Sequence, residues 1–142
     1  MNAFVMDKSS DNGKSIEVLK TETEGWKKEL FFTSEEIQFF EVYLTADIFE
    51  SNQPNIFERL SKLSDGIESI KSDIQELNIA LHNHTYEIDG MMECDDISCD
   101  AFYYGQHTRL GNQIENLLSE YQVLKSEIIN YTMGILKKDN KN

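Results

Sequence analysis

The chain has 142 residues, the length of one domain, and 13 basic against 26 acidic side chains give it a formal net charge of −13. A protein with this negative charge repels the phosphates of nucleic acid, so we expect no nucleic-acid partner. No stretch approaches 18 consecutive apolar residues and the polar N-terminal segment lacks a signal-peptide pattern, so we expect a cytoplasmic protein with no membrane partner.

The first predicted helix covers residues 15–50. Apolar residues recur there at helical spacing, although several positions of the same face are polar. Gly25 lies inside this pattern, and glycine costs about 1 kcal/mol relative to alanine in a helix interior. The run Thr33-Ser34-Glu35-Glu36 has the form of a capping box. The helix therefore begins near Ser15 or, alternatively, near Thr33 after a kink or a separate piece.

The second and third predicted helices cover residues 55–92 and 99–137. In the second, eleven positions from Ile56 to Met91 follow alternating steps of four and three, and ten of them are apolar, with His84 the exception. The third repeats this spacing, with His107 among its core positions. A sustained heptad of this kind is typical of coiled-coil packing.

The breaks between these helices, at Ser51–Pro54 and Glu93–Ser98, are short. Short connections between helices force antiparallel neighbours. The sequence therefore predicts an all-α fold, an elongated antiparallel up-down-up three-helix bundle with coiled-coil-like heptad packing, over residues 15–138. We expect flexible tails at residues 1–14 and 139–142. A helix of about 38 residues gives a rod of about 57 Å.

Turns centred near residues 53 and 95 fix which residues share a layer of the core. The predicted apolar layers are Leu30/Leu77/Ile114, Phe40/Ile67/Leu124 and Leu44/Leu63/Ile128. The same register places Thr23, His84 and His107 in one polar layer, and Asp47 beside Tyr131. A buried polar group without a partner costs about 1–3 kcal/mol, so polar residues that coincide in one layer support the register.

The first helix carries more aromatic residues than its core face needs. Those outside the core stripe are Phe31, Phe32, Phe39 and Tyr43. A patch of exposed aromatic side chains marks an interaction surface. Two interpretations are open: this face binds a second copy or another protein, or the helix is rotated or folds back so that the rings are covered.

His84 and His107 are the candidate metal ligands. Glu87, one turn from His84, offers a third ligand, but a structural zinc site needs four. We therefore interpret the two histidines as a structural polar layer, with metal binding and a pH switch as alternatives.

Cys94 and Cys99 flank the second turn. Acidic neighbours oppose formation of the reactive thiolate, so we interpret both cysteines as reduced, inert thiols, with a reversible loop disulfide as the alternative.

The same turn is an acidic tip, formed by Asp89, Glu93, Asp95, Asp96 and Asp100. It lacks the residue pattern of a calcium loop. We interpret it as a solvated end that aids solubility, and alternatively as a dock for a basic partner.

The sequence contains none of the common catalytic or phosphate-binding motifs. We therefore expect no enzyme and no cofactor. The leading hypothesis is a non-catalytic acidic helical bundle that acts in protein–protein interaction or self-association, for example as a homodimer. The alternative is a metal- or redox-responsive module that uses the His84/His107 layer or the Cys94/Cys99 turn.

Overall fold

The computed structural model describes residues 14–91 and 93–138, and it confirms the predicted all-α three-helix bundle. The helices are α1 (Ile16–Tyr43), α2 (Ile56–Met91) and α3 (Ile97–Met133). The helix α2 packs against both other helices. Apart from Lys14, the two predicted tails lie outside the described residues.

The helix α1 is continuous, so the alternative start at Thr33 is wrong. Ser15 caps its N-terminus, where the hydroxyl oxygen accepts a hydrogen bond from the backbone N–H of Val18. Gly25 stays helical, and a Cβ atom added there would meet nothing within 4 Å. The core contacts made by the helix on both sides of Gly25 outweigh the weak helix propensity of this residue.

The prediction that the first helix reaches residue 50 is wrong, because α1 ends at Tyr43. Phe49 is instead buried in a cluster with Ile56 and Ile135 that closes one end of the bundle. An isolated antiparallel bridge joins Phe49 to Leu136. If the helix continued to residue 50, Phe49 could not pack in this cluster and its backbone could not pair with Leu136.

Two further predictions fail at this end of the bundle. The helix α3 ends at Met133 rather than near residue 137, because the residues that follow it pair with the segment after α1. Asp47, predicted in the core beside Tyr131, lies beyond α1 with its side chain 95% exposed. Its carboxylate binds the Lys137 ammonium at 3.0 Å.

The main core lies along the contact of all three helices. All members of the three predicted apolar layers belong to one hydrophobic cluster or pack against it. Trp26 of α1 reaches across to α3 at Gly111, where an added Cβ would lie 2.8 Å from the ring atom Cζ2. A glycine at this position therefore lets the indole pack closely on α3.

Candidate functional site

The outward face of α1 carries four exposed apolar side chains, which we call the outer aromatic stripe: Phe31, Phe32, Phe39 and Val42. They are 58%, 64%, 59% and 70% exposed, respectively. At about 100° per residue, all four lie within about 100° of one another around the helix axis. They lie on the side of α1 opposite its buried face, because the core residues of α1 follow the other side.

Tyr43, the fourth residue of the predicted face, is half-buried rather than exposed. Its hydroxyl group donates a hydrogen bond to Oγ1 of Thr132 at 2.8 Å, and its ring meets Phe49 edge to face. Phe39 stacks on the outer side of this ring, with 5.3 Å between centroids. Tyr43 thus anchors Phe39 to the bundle, and Val42, which a search for aromatic residues missed, takes its place in the stripe.

The structure bears on one of the two interpretations of these rings, the one in which they are covered. Because α1 is one continuous helix, its N-terminal part does not fold back over them. The exposed fractions leave the stripe uncovered by any of the residues that the structure describes. Among the described residues, neither helix rotation nor folding back hides Phe31, Phe32 or Phe39.

The charges beside the stripe balance, unlike those of the whole chain. Glu24 and Lys27 form an ion pair at 3.2 Å on the neighbouring turn. Lys28 and Glu35 lie within the stripe's own arc, and both are exposed. Two lysines and two glutamates make this face neutral, whereas the chain carries a net charge of −13.

The predicted histidine layer exists, and it forms a continuous chain of hydrogen bonds across the bundle. Nε2 of His84 lies 2.9 Å from Nδ1 of His107, and both rings are 2% exposed. Nε2 of His107 lies 2.8 Å from a Glu22 carboxylate oxygen, and Nδ1 of His84 lies 3.2 Å from Glu87. This series of contacts therefore runs from Glu22 in α1 through His107 in α3 to His84 and Glu87 in α2. Trp26 covers the His107 ring at 4.6 Å between centroids.

The α1 member of this layer differs from the prediction. Thr23 is buried, but its hydroxyl group donates to the Leu19 carbonyl one turn earlier in its own helix. The partner of His107 is instead the adjacent residue Glu22, which also pairs with Lys14 at 3.0 Å. Sequence reasoning missed Glu22 because it searched the core positions alone.

The number of protons on the two rings determines how many of the contacts in this series are hydrogen bonds. Two neutral imidazoles carry two N–H protons, which serve two of the three contacts in the chain. The His84–Glu87 contact becomes a donated hydrogen bond when the pair of rings holds a third proton.

The pKa shifts of the buried groups have opposing causes. Burial lowers the pKa of His107, and the hydrogen bond to Glu22 opposes this shift. Burial raises the pKa of the Glu22 carboxyl, but hydrogen bonds from His107 and Lys14 outweigh it, so its pKa is lowered overall. Glu22 is therefore a carboxylate at neutral pH, and it accepts a hydrogen bond from Nε2–H of His107.

The geometry gives little room for a metal at the same place. Each of the four ring nitrogens of His84 and His107 lies within 3.2 Å of the other ring or of a carboxylate oxygen. Within the described parts of the chain, no group of three or more histidine, cysteine, aspartate or glutamate side chains is arranged to hold a metal ion. The two rings contact each other directly, nitrogen to nitrogen, at 2.9 Å.

A second polar link between α1 and α3 was not foreseen. The Tyr121 hydroxyl group donates to the Glu36 carboxylate at 2.6 Å, and Lys125 binds the same carboxylate at 3.0 Å. Burial raises the pKa of Tyr121, and the Tyr121 hydrogen bond holds the pKa of Glu36 below its usual value. Together with the Glu22–His107 contact, this link fixes α1 beside α3.

The turn between α2 and α3 contains a disulfide. Cys94 and Cys99 are joined, with an S–S distance of 2.04 Å. The interpretation of these residues as reduced, inert thiols is therefore wrong for this structure, and the alternative of a loop disulfide describes it. Acidic neighbours disfavour thiolate reactivity, but they do not prevent pairing of two cysteines that the turn places together.

The acidic residues of the tip have different roles. Asp96 caps α3, and its side chain accepts from the backbone N–H of Cys99 at 2.8 Å. Asp89 lies 3.7 Å from Lys20 of α1. The carboxylates of Glu93 and Asp95 are on exposed residues. The tip thus combines helix capping and interhelical pairing with a solvated acidic surface.

None of the described helices has the length and apolar character needed to cross a membrane. In comparisons with protein-family models, curated proteins and solved structures, nothing matches this chain. The site is therefore interpreted from its own geometry.

Proposed function

We propose that this protein is a non-catalytic helical bundle that acts by protein–protein association through the outer aromatic stripe of α1. One observation carries the proposal: three phenyl rings and Val42, each more than half exposed, stand on the side of α1 that faces away from the core. Exposed apolar patches of this kind mark interaction surfaces in soluble proteins. Aromatic side chains are also enriched in the buried centres of interfaces.

The size of the stripe supports association. A phenylalanine side chain can bury about 200 Å², so the three rings leave roughly 350 Å² of aromatic surface exposed. Contact of this surface with water is unfavourable, and the folded bundle presents it already exposed. Removing it from water is the driving force that we propose for association.

The test compares two double variants of the full chain. Phe32→Ser/Phe39→Ser removes the centre of the stripe, whereas Phe57→Ser/Phe102→Ser removes two phenylalanines that are 77% and 58% exposed on α2 and α3. We expect the first variant to lose association, measured by sedimentation equilibrium and by partner capture, while the second retains it. Unchanged association in the first variant, with native helical content, would refute the proposal.

The proposal assigns the protein no catalytic role and no cofactor. The histidine layer serves the fold in this account, because its ring nitrogens bond to each other and to carboxylates. We propose the cytoplasm as its compartment. Cytoplasmic thiols are kept reduced, so in that compartment Cys94 and Cys99 would pair only on oxidation.

That disulfide favours a second candidate function, a redox-responsive module. Pairing of Cys94 and Cys99 forms one S–S bond and releases two protons and two electrons to an oxidant. The measurement is the affinity of the protein for its partner with and without a thiol reductant. Equal affinity in both states would refute the redox function and leave the stripe-based function intact.

A further inference from the structure

The charges along α1 indicate which partner fits the outer aromatic stripe. A basic partner would be drawn to an acidic surface, yet this face is neutral within a chain of net charge −13. Two such acidic chains repel each other over most of their surfaces. A neutral face is where a second copy meets the least repulsion.

The order of the charges is also self-complementary. Lys28 lies three and a half residues before the midpoint of Phe31 and Phe32, and Glu35 lies three and a half residues after it. At 1.5 Å per residue, each charge is about 5 Å from that midpoint along the helix. A two-fold axis through the midpoint, perpendicular to α1, therefore brings Lys28 of each copy opposite Glu35 of the other.

Resting on the proposed function, we infer that the stripe binds a second copy of this chain, with the two α1 helices antiparallel about this axis. Phe31 of each copy then lies beside Phe31 of the other on one side of the interface, and Phe32 lies beside Phe32 on the other side, with two Lys28–Glu35 ion pairs between them. A register that instead centred the helices on Glu35 would place two carboxylates in contact.

Gly25 fits the same arrangement. In this register Phe39 of one copy lies close to Glu24 and Gly25 of the other. A Cβ added to Gly25 meets nothing within 4 Å in the single chain, so the bundle itself does not require a glycine there. The absent side chain leaves space for the Phe39 ring of the second copy.

The area is adequate for a stable dimer. The three rings of two copies supply about 700 Å² of apolar surface. Apolar atoms make up somewhat over half of a typical interface, which implies a total of about 1,200 Å². This value is at the lower edge of the range for specific interfaces.

The experiment uses charge reversal in the full chain, with dimer affinity read by sedimentation equilibrium. Lys28→Glu and Glu35→Lys each place two pairs of like charges in the interface, and we expect roughly tenfold weaker dimers. An equimolar mixture of the two variants forms two favourable pairs again, so it should regain the wild-type affinity as a heterodimer. Lys62→Glu and Glu58→Lys, the same charge changes on the exposed surface of α2, are the matched controls.

The outcomes separate this inference from the proposed function. Recovery in the mixture and not in either variant alone supports the antiparallel two-fold dimer. A wild-type chain that is monomeric, or a dimer that the reversals weaken no more than the controls, overturns it. The function itself fails only when Phe32→Ser/Phe39→Ser leaves all association unchanged, whether with a second copy or with another protein.

Discussion

Replacement of the histidine layer by leucine, one residue at a time and then together, tests how the bundle is held in register. His107→Leu leaves Nε2 of His84 buried without its partner and takes the imidazole from Glu22. An unsatisfied buried polar group costs about 1–3 kcal/mol, so we expect each single variant to lose about that much unfolding free energy. His84→Leu orphans Nδ1 of His107 in the same way.

The double variant should be far less damaging than the two single losses added together. With both rings gone, no buried imidazole remains unpaired, and two leucines extend the apolar core. Glu22 keeps its ion pair with Lys14 at 3.0 Å. We expect the double variant within about 1 kcal/mol of wild type. Since the two single losses sum to about 2–6 kcal/mol, the coupling free energy is then at least about 1 kcal/mol.

The assay is urea unfolding followed by circular dichroism, with the free energy taken by linear extrapolation. His82→Leu, at an exposed position of α2, is the control and should change stability by less than about 0.5 kcal/mol. If the losses of the two single variants simply add in the double variant, the rings do not act as a pair and the reasoning is refuted. A wild-type stability that falls on addition of a chelator would instead point to the metal-binding alternative.

Three further predictions concern stability. Gly111→Ala places a Cβ 2.8 Å from Trp26, so thermal unfolding should show a loss of about 1–3 kcal/mol, and an unchanged midpoint would contradict the packing described. The Cys94–Cys99 disulfide closes a short loop, so reduction should cost about 2 kcal/mol in urea unfolding, and equal curves with and without reductant would contradict this. The folded pKa of Glu22 lies below the usual 4.5, so its contribution is complete above that pH and is lost as pH falls through the folded value. Glu22→Gln should flatten the loss of stability with acid, and an identical slope in the variant would show that the carboxylate does not contribute.

The heptad pattern predicted much of the core because burial in a bundle follows helical periodicity. It placed His84 opposite His107 from turn positions alone, and the two rings touch. The pattern did not reveal Glu22, since a long side chain beside the core can reach inward from a position that periodicity counts as surface. It extended α1 too far because Phe49 pairs with Leu136, beyond the end of α3, and this long-range contact has no local signal in the sequence.

The sequence likewise predicted only part of the candidate surface on α1. Exposure of Phe31, Phe32 and Phe39 follows from their angle on the helix, which the sequence contains. The burial of Tyr43 cannot be predicted in this way, because it depends on the position of Thr132 in α3, which is 89 residues further along the sequence. The cysteine pairing was only the alternative prediction, because chemical reactivity was considered before the geometry of the turn.

Native mass spectrometry of the full chain, purified without chelator, tests the central claim most directly because it counts chains and bound ions together. The account predicts a species at twice the 16.5 kDa chain mass, with no additional metal mass, that Phe32→Ser/Phe39→Ser converts to single chains. A dimer that survives this double substitution, or one bound metal ion per chain, would contradict it.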